Sequence, residues 1–189
     1  LGFHDVSVEN NLLKGIKYAK MRIELYPDDP DTHNTLGWYY QKSGQFEEAL
    51  KEYKATVRIN PDMALTYSAI LWIYIEKLGK ADSGLVWSEK MISDNPQNEW
   101  GYTNLGSAWL SLDSLKKAET AYEKARELNP NLIINLYRLA NTLRLQGRSD
   151  EAIGILKKIP DTDLYITSPY YDLGVNYQLI GNQKEARDY

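Results

Sequence analysis

The chain has 189 residues, 22 Lys+Arg against 26 Asp+Glu and a formal net charge of −4, and its 43% apolar content is that of a folded chain rather than a disordered one. No apolar run is long enough for a transmembrane helix, and no basic leader followed by an apolar core opens the sequence. Cysteine is absent, which excludes disulfides, thiolate metal sites and a cysteine nucleophile, and the acidic balance argues against a nucleic-acid partner, whose phosphates ask for positive charge.

Composition therefore reads as soluble, with the compartment, cytoplasmic or periplasmic, left open. Its unusual feature is the aromatic load, 15 Tyr and 5 Trp beside 2 Phe. In chain order the apolar spacing predicts a helix over 8–25, then helix pairs over 30–43 and 46–59, 64–78 and 81–94, 99–112 and 115–128, and 133–146 and 149–159. A further pair is predicted to begin over 167–180 and to continue from about 183.

These elements repeat. Proline recurs at Pro27, Pro61, Pro96 and Pro130, in steps of 34, 35 and 34. A two-residue signature recurs at Leu36-Gly37, Ile70-Leu71, Leu105-Gly106, Leu139-Ala140 and Leu173-Gly174, and a small residue at Gly15, Ala49, Gly84, Ala118, Ala152 and Ala186. Three tracks in one register fix a period of one helix pair. Gly44 separates the helices of the first full pair, and Pro61 stops the second of them, because proline lacks an amide and restricts the residue before it. Gly37 and Ala49 allow close approach, with Tyr40 or Tyr53 filling the space beside them. The one extra residue is expected near Gly79, where a turn absorbs it. Pro160 comes four residues early, so a short helix and a loop over 160–166 are expected.

These residues resemble the tetratricopeptide repeat family. The third full period carries Tyr102, Leu105, Gly106, Trp109, Ala118, Tyr122, Ala125 and Pro130, matching the family pattern throughout. The first carries His33, Leu36, Gly37, Tyr40, Ala49, Tyr53 and Pro61, with Thr56 in place of Ala; the second departs with Leu71, Gly84 and Ser88. The resemblance implies an all-α fold, a right-handed superhelical solenoid of antiparallel helix pairs, forming a single segment over 1–189. Within it, 1–29 holds the second helix of a partial repeat, 30–63, 64–98, 99–132 and 133–166 are full repeats, and 167–189 is partial. Both ends read as cut, so flanking sequence is expected, as is self-association of the isolated segment through them. The related pentatricopeptide repeats, which read RNA over a basic surface, fit less well, since the groove charges nearly cancel.

Little points to chemistry. His4 and His33 stand too far apart to form a metal site, and His33 falls where the family packs a large residue. Asp28, Asp29 and Asp31 around Pro30 read as a turn with an N-capping aspartate, and Asp161 and Asp163 read as loop residues. There is no phosphate loop and no nucleophile elbow. No catalytic residue, metal or cofactor is expected.

The resemblance instead implies a concave groove lined by the first helices. Its positions include Asn34, Trp38 and Lys42, then Trp72, then Trp100 and Asn104, then Tyr137, Arg138 and Asn141, and finally Tyr171. Ile75 and Glu76 are the expected counterparts of Gln41 and Lys42. Eight tyrosines (40, 53, 67, 74, 102, 122, 170 and 177) and Trp109 fall on packing positions instead. The carboxylate clamp of chaperone-binding relatives would need Ser68, Trp72, Asn104, Ile134 and Arg138, and only Asn104 and Arg138 suit it. The expectation is a protein-interaction scaffold taking a peptide or helix, its rings anchoring apolar groups and Asn34, Asn104 and Asn141 satisfying main-chain groups. The second reading is a regulatory or assembly repeat domain of a larger protein, an enzyme among the options, whose groove is filled by its own flanking sequence.

Overall fold

The computed structural model describes residues 3–159 and 181–182, with side chains from residue 11 onward. The expected helices over 167–180 and from 183, the loop over 160–166, Asp161, Asp163, Tyr170, Tyr171 and Tyr177 lie outside the described residues, as does the side chain of His4.

Among the described residues the chain is helical without strands. The helices are α1 (Phe3–Leu25), α2 (Pro30–Lys42), α3 (Phe46–Ile59), α4 (Ala64–Trp72), α5 (Ala81–Asp94), α6 (Glu99–Ser111), α7 (Leu115–Leu128), α8 (Ile133–Leu145) and α9 (Ser149–Leu156). A π-helical turn, Ile73–Lys77, continues α4. By contact the chain divides into two compact units, Leu1–Pro96 and Gln97–Tyr189. The pairs α2/α3 and α4/α5 lie in the first, α6/α7 and α8/α9 in the second.

Local chemistry accounts for most of the boundaries. Asp29 caps α2: its carboxylate accepts from the Asp31 amide at 3.3 Å and from the Thr32 hydroxyl, and Arg22 holds it at 2.9 Å. Those bonds, led by Thr32, hold the carboxyl below its usual range. Pro30 follows at the first helical position, where its missing amide costs nothing. Asn98 caps α6 through the Trp100 amide at 2.9 Å. The hairpin turns each pass through one left-handed residue, Gly44, Gly79, Asp113 and Gly147, with φ of 76°, 61°, 53° and 77°. Early in the chain, α1 begins at Phe3 rather than near residue 8. At the other end, α9 stops at Leu156, three residues before the expected 159, and tightens into i→i+3 bonds ahead of Pro160.

The extra residue is not in the Gly79 turn. Gly44 to Gly79 is already a step of 35, whereas Trp38 to Trp72 is 34, so the insertion lies between Trp72 and Gly79. There the π turn takes it up: the Leu78 amide bonds the Ile73 carbonyl at 3.0 Å, an i→i+5 closure that fits one more residue into a helical turn. Ile73, whose carbonyl closes that turn, is fully buried, and beyond it the Lys80 amide reaches the Tyr74 carbonyl at 2.7 Å, six residues back, where the Gln45, Ser114 and Arg148 amides of the other hairpins reach five residues back.

Each pair packs through one large and one small residue. A Cβ on Gly37 would lie 2.7 Å from the Tyr53 ring, and one on Gly106 would lie 2.5 Å from the Tyr122 ring. The second pair reverses the sizes, with buried Leu71 at the glycine position and buried Ser88 at the tyrosine position. The fourth uses Ala140 and Leu156, both in the core of the second unit. Complementary volume, rather than residue identity, is what the positions share.

Candidate functional site

The tyrosines of the packing positions are largely consumed by the fold. Tyr40, Tyr53, Tyr67 and Tyr122 are buried, and Tyr74 and Tyr102 are half-buried. The Tyr53 hydroxyl donates to Gln41 Oε1 at 2.6 Å, and burial pushes it up to about 12; Tyr67 donates to Asp94, and burial with that carboxylate raises it further. Trp109 packs on the core of the second unit, and Lys117 Nζ lies 4.1 Å from its ring centroid. His33 bridges two elements, with Nδ1 2.7 Å from Glu52 Oε2 on α3 and Nε2 2.9 Å from the Pro27 carbonyl. Both partners are acceptors, so its role is to tie α2 to α3 and to the preceding turn.

In the first unit, Trp38 and Trp72 stay in solvent at 46% and 38% exposure, while Trp87 is half-buried, as are Trp100 and Trp109 of the second unit. Tyr39 meets Trp38 edge-on at 5.2 Å, and Phe46 of α3 meets Trp72 edge-on at 6.1 Å. Lys42 is exposed, its Nζ 5.6 Å from the Trp38 ring centroid; Leu65 is exposed on α4 as well. Lys77, a residue the sequence reading passed over, brings its Nζ to 4.6 Å from the Trp72 centroid. Once the π turn is placed, the counterparts of Gln41 and Lys42 are Glu76 and Lys77, not Ile75 and Glu76.

The amides differ from expectation. Asn34 is half-buried and its Oδ1 accepts from Thr66 Oγ1 at 2.9 Å, tying α2 to α4, so this carbonyl is committed within the fold. Asn104 is 8% exposed, buried rather than facing solvent. Asn141 is exposed, with its Oδ1 engaged by Arg144 Nη2 at 2.7 Å. One residue the sequence reading missed is Asn135, fully buried, which donates to the Tyr122 carbonyl at 2.9 Å and accepts from Thr103 Oγ1 at 3.2 Å. Thr103–Asn135 occupies the positions of Asn34–Thr66 with the residue types exchanged, a recurrence visible only once the 34- and 35-residue steps are aligned.

In the second unit, Trp100, Tyr137 and Arg138 are half-buried, and Tyr137 packs against the core. Arg138 Nη1 donates to Ser107 Oγ at 2.6 Å, and the Tyr122 hydroxyl reaches the same oxygen at 3.2 Å. Arg138 Nε is buried without a hydrogen-bond partner. Here the expected groove positions present polar groups held against the fold, whereas the exposed rings belong to the first unit.

A separate cluster ties α7 to the α8/α9 turn. Buried Glu119 receives Arg148 Nη1 at 2.8 Å, Lys116 Nζ at 3.0 Å and Gln146 Nε2 at 3.1 Å. Burial pushes its carboxyl up, but these donors outweigh burial and hold it at about 2, against an ordinary 4.5. The cluster is structural: among the described residues no group of three or more His, Asp or Glu could hold a metal ion, and no helix is long and apolar enough to cross a membrane.

Comparisons agree with this architecture. In the curated proteins, the chain is 30% identical over 112 residues to the Hsp70-Hsp90 organizing protein of Triticum aestivum; the match covers 58% of this chain and 19% of that protein, so the chain spans about a fifth of that relative. In solved structures, it is similar to PilW, a type IV pilus biogenesis factor, with a TM-score of 0.77, 16% identity, and coverage of 98% of this chain and 86% of that one. It is also similar to YrrB, a TPR protein with an unusual peptide-binding site, with a TM-score of 0.61, 21% identity, and coverage of 90% and 87%. At these identities the structures speak to fold alone. A tetratricopeptide repeat model matches residues 6–159, and with the helix pairs, the small–large packing positions and the inter-repeat prolines in the same register, the chain belongs to the tetratricopeptide repeat family.

Proposed function

We propose that this chain is a non-enzymatic protein-interaction module that takes a partner's peptide or helix on its first-helix face, with Trp38 and Trp72 as apolar anchors. The observation carrying this is that two large rings at matching positions of consecutive repeats remain exposed, at 46% and 38%, whereas among the described residues every other aromatic of the helix pairs is buried or half-buried, and the remaining exposed rings, Tyr18 and Tyr26, lie in and just after α1. Exposed apolar rows of this kind mark binding surfaces, and Trp is among the commonest interface anchors. Two proteins similar to this chain point the same way: one is an Hsp70-Hsp90 organizing protein, the other a TPR protein with a peptide-binding site. Recognition of a terminal carboxylate by the family's clamp is not part of the proposal, because Ser68, Trp72 and Ile134 stand at three of its five positions. Nucleic acid is disfavoured by the net charge of −4.

The test is a paired capture from lysate of the source organism with the chain and its Trp38→Ala/Trp72→Ala variant, matched first by circular dichroism and read by mass spectrometry. A protein retained by the parent and lost with the variant supports the reading and identifies the partner. Identical captures, or a variant that unfolds, overturn it and favour a face filled from within a longer chain or a packing role for the rings.

A further inference from the structure

The π turn does more than store a residue. Upstream of it the two first helices of the first unit correspond at an offset of 34, Trp38 with Trp72; downstream they correspond at 35, Lys42 with Lys77. Four residues separate ring and ammonium in the first case, and five in the second. In a continuous α-helix a residue five positions on would rotate off the face of the ring; the wider π turn brings it back, leaving Lys77 Nζ 4.6 Å from the Trp72 centroid and Lys42 Nζ 5.6 Å from that of Trp38. The same unit, an exposed tryptophan with a lysine over it, thus occurs twice, one repeat apart.

Among the described residues neither lysine forms an ion pair, whereas Lys90, Lys116 and Lys124 each hold a carboxylate at 2.8–3.0 Å. An ammonium resting on a ring keeps its outward N–H groups for a further acceptor, and the ring beneath shields one side of the pair from water. The apolar surface and the cation are therefore presented side by side, twice.

We propose that Trp38–Lys42 and Trp72–Lys77 are two equivalent subsites for an acidic amphipathic segment of a partner protein, each taking an apolar side chain on the ring and a neighbouring carboxylate on the lysine. This rests on the first-helix-face reading above and adds the partner's chemistry to it. Overall charge works against the proposal, since a chain of net charge −4 attracts basic peptides. A preference for an acidic peptide must therefore come from local cations.

That opposition makes the test discriminating. Two fluorescent peptides of roughly 15 residues, both blocked at their termini and sharing a leucine/alanine framework, carry either glutamate or lysine at every polar position. Each is titrated into the full chain by anisotropy at low and physiological salt. The glutamate peptide is expected to bind about tenfold more tightly than the lysine peptide, and Lys42→Gln/Lys77→Gln is expected to erase that preference without changing the melting temperature. Trp38→Leu/Trp72→Leu is expected to weaken both peptides. Equal or tighter binding of the lysine peptide, or a glutamate preference that survives the lysine substitutions, overturns the proposal. If both peptides still depend on the tryptophans in either case, the face reading stands; if neither binds, or binding ignores the tryptophans, both readings fall.

Discussion

Gly106 and Tyr122 occupy a single packing position between them: the Tyr122 ring, fully buried, lies where a side chain on residue 106 would begin, 2.5 Å from its Cβ position. Alanine is the better helix former by about 1 kcal/mol, yet the ring has nowhere to go, because its hydroxyl also meets Ser107. Gly106→Ala is therefore expected to destabilise by about 1–3 kcal/mol, and Tyr122→Leu by about 2 kcal/mol. The double variant copies the Ala140 and Leu156 arrangement and is expected to lose at least about 1 kcal/mol less than the sum. Urea unfolding of the four proteins measures the coupling; strict additivity would show that volume exchange is not the rule of these pairs.

Glu119 predicts an acid-sensitive stability. Its folded carboxyl, at about 2 against an ordinary 4.5, favours the ionised form, so the contribution is complete above about pH 5. It declines as pH falls through 4.5 toward 2. Glu119→Gln is expected to cost on the order of 2 kcal/mol at pH 7, and the gap from the parent is expected to close near pH 2–3. Parallel denaturant curves across pH decide it; a gap independent of pH would assign the effect to packing.

Asn135 is expected to act from inside the fold. Replacing it with leucine removes the second hydrogen bond of the Tyr122 carbonyl, which keeps its place in α7, and one of the two of the Thr103 hydroxyl, a loss of roughly 1–3 kcal/mol. Asn141→Leu, on an exposed residue of the same helix, is expected to change stability by less than about 0.5 kcal/mol. Thermal melts of both separate a buried amide from an exposed one.

The π turn can be removed. Deleting Glu76, which is exposed, restores a step of 34 and leaves Lys77 four residues after Trp72, the spacing of Trp38 and Lys42. The shortened chain is expected to fold with α4 running straight through and a melting temperature equal to or a few degrees above the parent. A marked fall would show that the π turn is required by its surroundings.

The period, the helix pairs and most of their ends were legible in the sequence because they follow from local chemistry. Pro61 and Pro96 interrupt the backbone, Gly44 and Gly147 supply left-handed turns, and Asp29 caps the helix beside it. The aromatic tracks were legible for the same reason, since a solenoid repeats its packing problem every period. Contacts one repeat away are not written locally. Nothing around Asn34 marks it as the acceptor of Thr66, and nothing around Asn104 marks it as buried. The extra residue suited a loop at Gly79 or a helix turn equally well, and only the bond from the Leu78 amide to the Ile73 carbonyl places it in the helix. What the chain determined by itself was the helices and their repeat; the tertiary structure decided which polar groups are spent on cohesion and which rings and cations are left facing outward, because burial depends on neighbours supplied by another repeat.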